Sequence, residues 1–302
     1  PLSGALRAAV SGEGDVGEIT GLLQAGAGAV RPTEAARPIV FNGALARFRY
    51  DPNAGRIDFT EISANATGGA LKAEGHTYLL AGGDEFVGQF QLRDSFIAGD
   101  KLDLPDVARI EDGEVDLRLR LDPFTLDLGQ AVISDQNRRL RLSGQIKAGL
   151  AGWAVSLDAH ANALTPERLL ALWPRNLAPA TRTWIGPNIP EAQLFNLNAG
   201  ERSSPEDGLD YRVGFEFADS EIWPLGRDGL PITNAAGRAT FEADGFTAVL
   251  DAGRVSPGAA ADVEMAGSVV RIDLTDSPAR GRADIKARGE LTSILSVIEA
   301  PT

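Results

Sequence analysis

Few residues of this sequence have the type and spacing that chemistry demands. The two histidines, His76 and His160, each fall in or beside a stretch of strand period. Neither has a Cys or second His at the spacing a zinc site or a nucleophile triad needs. With no Cys in the chain, disulfide frameworks, thiolate metal sites and Cys nucleophiles are all excluded. There is no Gly-x-Ser-x-Gly elbow, phosphate-cradling glycine loop or dinucleotide fingerprint. Ser3-Gly4, Ser11-Gly12 and Ser143-Gly144 read as turn or strand-edge residues. Acids are abundant, so a carboxylate pair for glycoside chemistry stays open. Asp84-Glu85, Glu111-Asp112 and Glu206-Asp207 are predicted to be solvated turn residues. No loop of alternating acids suits Ca²⁺. No catalytic residue, metal ion or cofactor is therefore expected.

The elements that would position any site follow from composition and period. The chain has 302 residues, 43% of them hydrophobic but only 6% aromatic, with 34 Gly and 17 Pro. That balance favours an extended, turn-rich architecture of thin layers. The 29 Lys and Arg against 42 Asp and Glu leave a net charge of -13, which repels nucleic acid and anionic lipid head groups. No run of eighteen apolar residues is present, so no transmembrane helix is expected. Starting at Pro1 with no signal peptide, the chain reads as an internal piece of a longer protein whose targeting segment lies elsewhere.

Residues 1–38 are predicted to hold a short amphipathic helix near 15–25, from the spacing of Val16, Ile19, Leu22 and Leu23, then a loop from Gly26 to Pro38. From Val40 the period becomes two. Leu45–Tyr50 turns at Asp51–Gly55 into Arg56–Ile62, a hairpin by its turn chemistry. Further strands are predicted over Ala70–Leu80 and Phe86–Leu92. Val115–Asp122 alternates strictly, with Val115, Leu117, Leu119 and Leu121 on one face and charged residues on the other. Arg139–Lys147 repeats the pattern with Leu140, Leu142 and Ile146, and Trp153–Ala159 continues it. A sheet with one apolar face must cover that face or use it.

Leu164–Pro190 is the clearest helical stretch. Thr165 is a good N-cap and Pro166 suits the first helical position. Leu169, Leu170, Leu172 and Trp173 make an apolar stripe that Pro174 ends. A second helix is predicted from Pro179 to Gly186-Pro187, with Trp184 and Ile185 inward and Trp184 joining Trp173 as an anchor. A polar loop at Glu201–Gly208 and a strand at Tyr211–Phe217 come next. A second series of strands then runs from Gly237, and Leu291, Ile294, Leu295 and Ile298 predict a closing helix. A loose repeat is visible in the glycines: Gly43 to Gly75, Gly113 to Gly144 and Gly237 to Gly267, steps of about 30 residues. Successive strands on short turns make a long antiparallel meander of nearest-neighbour contacts.

The segment Leu164-Thr-Pro-Glu-Arg-Leu-Leu-Ala-Leu-Trp-Pro, followed by Leu177-Ala-Pro-Ala-Thr-Arg-Thr-Trp-Ile, resembles the Trp-Pro … Arg-x-Trp-Ile signature of the large bacterial AsmA-like envelope proteins of the YhdP type. Asn234-Ala-Ala-Gly-Arg-Ala-Thr-Phe and Val269-Val-Arg-Ile-Asp-Leu are similar to that family's repeat. The likeness covers about 160–290 and is a pattern only before it; it departs at Gly186–Pro190, where the family more often continues its helix. The resemblance implies a mainly β fold, a long twisted meander curled into an open, taco-like groove, with a few short amphipathic helices. It implies a periplasmic position and attachment to the inner membrane through an anchor outside this chain. It further implies binding and guidance of phospholipid acyl chains between the inner and outer membranes, without catalysis, supporting outer-membrane lipid homeostasis.

The expected groove lining is Val115, Leu117, Leu119, Leu121, Leu140, Leu142 and Ile146; the expected helical anchor is Leu169, Leu172, Trp173 and Trp184, which caps, divides or packs against the groove. The expected divisions are 1–38, 39–163, 164–190 and 191–302. A structural or scaffold module of the envelope, binding other envelope proteins, is the second reading. A carbohydrate-active β enzyme with two close carboxylates of perturbed pKa is the third.

Overall fold

A computed structural model describes residues 1–101, 103–135, 138–258, 260–275 and 280–300. The chain is mainly β, and its one large sheet has 17 antiparallel strands and does not close into a barrel. It divides into two compact units, the first formed by Pro1–Leu102, Asp106–Ala159 and Glu201–Leu209, the second by Asp103–Pro105, His160–Gly200 and Asp210–Thr302.

The strands of the first unit are β1 (Leu2–Val10), β2 (Val16–Ala25), β3 (Gly28–Val30), β4 (Ile39–Phe41), β5 (Gly43–Asp51), β6 (Arg56–Ala66), β7 (Gly69–Leu80), β8 (Glu85–Ile97), β9 (Ala108–Arg120), β10 (Thr125–Asp135) and β11 (Arg138–Gly149). Each pairs with the next in a meander from β1 to β11, except that β3 and β4 leave the sheet and pair with each other. β12 (Gly152–Leu164), β13 (Glu191–Ser204) and β14 (Gly208–Ile222) run from one unit into the other. The second unit continues with β15 (Ile232–Glu242), β16 (Gly245–Val255), β17 (Val263–Glu264), β18 (Val269–Asp273) and β19 (Arg280–Asp284). Its helices are α1 (Pro166–Leu172), α2 (Pro179–Asn188) and α3 (Leu291–Ile298).

Bulges keep the apolar residues on one face. In β6 the pairing slips between Phe59 and Ile62, so Ile57, Phe59, Ile62 and Ala64 all point the same way. In β10 the slip at Gly129-Gln130 does the same for Leu126, Leu128, Ala131 and Ile133. A related device occurs once in each unit. Phe90–Ile97 (FQLRDSFI) and Phe215–Ile222 (FEFADSEI) share an Asp-Ser pair at an irregularity, with Asp94 and Asp219 left-handed at φ 43° and 47°. The buried Ser95 and Ser220 hydroxyls each donate back to the carbonyl two residues earlier. This kinks a strand without orphaning a buried hydroxyl.

In the second unit the apolar face is covered. Thr165 caps α1 by accepting from Arg168 N, and Pro166 opens the helix. Leu169, Trp173 and Ile185 are buried, as are Phe217, Phe241, Leu250, Val263 and Met265. Phe241 lies between two rings, Trp173 at 5.2 Å and Tyr211 at 5.5 Å between centroids. The Trp173 indole N–H donates to the Leu177 carbonyl, which satisfies its polar end.

Four expectations are corrected. The helix predicted near 15–25 is the strand β2, because pairing with β1 and β5 puts Ile19 and Leu23 on one face and Leu22 on the other. Trp184 is 37% exposed, because one helical step turns it away from buried Ile185, so it is no partner of Trp173. Glu111-Asp112 lies inside β9, not in a turn, and Glu201–Ser204 belongs to β13.

Candidate functional site

The apolar face of the first unit assembles row by row. Leu119, Leu126 and Ile146 face one another across β9, β10 and β11; Leu117, Leu128 and Gly144 form the next row, then Val115, Ala131 and Leu142. The third row runs on through Phe90, Gly75, Phe59 and Phe48 to Gly21 in β2. Glycine is required at position 75 in this row. A Cβ there would strike the Gln89 carbonyl and Phe90, and its absence lets Phe59 and Phe90 come within 6.0 Å. Phe48 likewise lies over Gly21.

Six of the seven predicted lining residues share this face. Leu121 does not belong: β9 ends at Arg120, and Leu121 stands 48% exposed in the turn that follows. Of the predicted anchor, Leu169 and Trp173 are buried in the second unit and Leu172 is half-buried there. Leu126, Leu128 and Ile133 of β10, and the row Phe48–Phe59–Phe90, were not predicted as lining, although Gly129 between two Leu-x-Leu-like halves is a usable bulge signal.

The degree of covering is the telling property. Among the described residues of the first unit, the only buried apolar side chains are alanines: Ala36, Ala131 and Ala148. Val115, Leu117, Leu119, Leu140, Leu142 and Ile146 are all half-buried. Large apolar residues of a closed core are normally shut off from water, and on this face none of the six is.

One segment spans this face. The chain leaves β2 at Ala25, forms the β3–β4 hairpin and returns to β5, where Asn42 N donates to Asn65 O. Its far end reaches the opposite end of the strands, at the β11–β12 turn. There the Thr33 hydroxyl donates to the Gly149 carbonyl (3.1 Å) and the Trp153 indole N–H donates to the Arg37 carbonyl (2.9 Å). In a flat sheet these corners would be about 45 Å apart, seven strand spacings across and most of a strand along. Extended chain from Ala25 to Thr33 covers about 29 Å at most. The first unit's sheet is therefore curled, with the segment as its chord. Trp153 stacks edge-on against Phe124 at 5.7 Å and shares a face with Leu157, which lies over Gly144 on the apolar side. The chord therefore runs over the apolar face.

The opposite face is polar and, as in any twisted sheet, hollow along the other diagonal. A depression of about 500 Å³ is lined by His76, Tyr78, Gln89, Asp116, Arg118 and Asp127, and an adjoining one of about 380 Å³ by Glu74, Gln91 and Glu114 as well. His76 pairs with Gln89, and Gln89 with Asp116. Arg118 pairs with Glu85 at 3.1 Å and Arg120 with Asp127 at 3.0 Å. The hydrogen bond from Gln145, then that from Arg120, holds the Asp127 carboxyl below its usual range. Asp273 is also lowered, by its bonds from Thr275. Both carboxyls are thus held ionised, the reverse of what a general acid needs. Burial pushes the Tyr211 phenol up. His160 faces Asn198 and Asn162 with its two ring nitrogens. Among the described residues no group of His, Asp and Glu could hold a metal ion, and no helix is long and apolar enough to cross a membrane.

Fold and face together define an open antiparallel meander with an uncovered apolar surface. Compared with known proteins, the chain matches no family model, no curated protein and no solved structure.

Proposed function

We propose that the first unit binds the acyl chains of phospholipid along its curled apolar face and guides them within the periplasm, as part of an AsmA-like protein anchored in the inner membrane outside this chain. The observation that carries the reading is an apolar surface across eight strands, β2 and β5–β11, with no large side chain buried on it among the described residues. Each CH₂ moved from water onto such a surface contributes about 0.8 kcal/mol, so an acyl chain binds without a head-group site. A negative net charge disfavours anionic head groups and leaves the tail as the recognised part.

The test is native mass spectrometry with lipid extraction on protein purified from a bacterial envelope. Phospholipid is expected on the wild type and lost from Leu119→Asp, which charges the middle of the face. Lipid-free protein that takes up no fluorescent phospholipid from vesicles overturns the reading.

A scaffold module of the envelope is the second reading. It is favoured by edge strand β1, exposed along its whole length, and by α3, whose Leu291, Leu295 and Ile298 form an exposed stripe. It predicts protein partners captured through those two elements by a protein that carries no lipid.

A further inference from the structure

The chord across the apolar face touches the sheet at its two ends and is not packed down between them. Val30, Ile39 and Val40 are 51%, 55% and 61% exposed, although they sit on a hairpin that spans an apolar surface. The sheet beneath keeps its own leucines half-buried. Val30 and Ile39 pair on one face of the hairpin and Val40 lies on the other, so hairpin and sheet each keep apolar side chains open to an apolar guest. The far end is fixed lightly. Two hydrogen bonds hold it, Thr33 to Gly149 and Trp153 to Arg37, with Ala36 buried between them and Ala35 beside Gly152. The near end is continuous with β2 and β5 and cannot leave.

We propose that residues 26–42 are a hinged strap: Val30 and Ile39, a cross-strand pair on one face of the hairpin, form the second wall of the acyl-chain site, and the Thr33 and Trp153 contacts are its latch. This rests on the lipid reading above. With the latch made, a bound chain is enclosed between strap and sheet; with it broken, the strap swings on its near end and the chain leaves sideways. The latch sets how fast lipid exchanges, while the apolar walls set how much is held.

The absence of native Cys allows a clean test. In Thr33→Cys/Gly149→Cys, a disulfide or a short bis-maleimide bridge fixes the latch shut. The protein is loaded with fluorescent phosphatidylethanolamine, and transfer to phosphatidylcholine vesicles is timed before and after bridging. Bridging is expected to slow release at least tenfold, reversibly for the disulfide. Trp153→Phe, which keeps the ring packing but removes the donor, is expected to speed release several-fold. Equal release rates from bridged and unbridged protein that both carry lipid overturn the strap and leave the lipid reading standing. If neither form ever holds lipid, the lipid reading falls and the strap with it.

Discussion

Trp173 lies over Phe241 with ring centroids 5.2 Å apart and planes tilted by 54°, and Phe241 is the most enclosed large side chain among the described residues. This contact closes the second unit's core. Trp173→Ala should cost about 3–5 kcal/mol, the usual range for emptying a buried aromatic site. Trp184→Ala, in α2 and exposed, should cost under about 1 kcal/mol. Urea unfolding followed by circular dichroism separates the two; equal losses would contradict the packing described.

The first unit should answer differently to the same kind of change. Leu117 and Leu142 are only partly buried, so truncation of either to Ala should cost about 1–2 kcal/mol, short of a core leucine. The larger effect should fall on lipid retention. Thermal unfolding and lipid content measured on the same samples show whether the two properties part in this way.

Asp127 supplies a pH test. Its folded pKa is lowered, chiefly by the Gln145 hydrogen bond, so its contribution is complete above the unfolded value of about 4 and disappears as pH falls through the lower folded value. The group is partly exposed, which limits the effect to about 1 kcal/mol. Asp127→Asn should be less stable than wild type at neutral pH, and the gap should close as pH falls from neutral to well below the unfolded value of about 4. A gap that is constant across that window would show the carboxylate is not held as described.

The buried Ser95 hydroxyl accepts from Lys72 N at 2.9 Å. Ser95→Ala leaves that backbone group without its acceptor, at a cost of about 1–3 kcal/mol. Faster hydrogen exchange at the Lys72 amide is the specific signature. Ser220→Ala, whose hydroxyl donates to the Ala218 carbonyl and accepts from no backbone N–H among the described residues, should be milder.

Strand β1 is an open edge with Leu2, Leu6 and Val10 exposed, and Arg7 is its one charge. By contrast β19, Arg-Gly-Arg-Ala-Asp, is guarded by charges. Leu6→Lys should therefore reduce concentration-dependent self-association, read by light scattering, while Ala283→Lys should not.

Strict alternation made β9 and β11 legible, because the bulge in their pairing with β10 adds its extra residue to β10 and leaves their own period intact. β10 between them was hidden: its bulge at Gly129 shifts the apolar set by one residue, so Leu126, Leu128, Ala131 and Ile133 fit no single period although they share a face. The same shortness of pattern misled at β2, where Val16, Ile19, Leu22 and Leu23 mimic a helical stripe and only the partners β1 and β5 decide between the two. α1 could be read because its signals are local, a Thr cap and a Pro at the first position. The strap could not. Its anchors, Thr33 to Gly149 and Arg37 to Trp153, join residues 116 apart in sequence, and no local signal encodes that closure.

The half-wet face of the first unit also sets how that unit melts. Heat capacity and denaturant sensitivity of unfolding both follow the apolar surface newly exposed. A sheet whose leucines are only partly buried exposes less new apolar surface when it unravels than a closed core does, so its transition should be shallower for its size and lean more on backbone ladders. A guest on the face changes this: the occupied unit gains stability with the logarithm of ligand concentration and acquires the steep melting of a protein with an interior. Its hydrophobic core is then supplied from outside the chain.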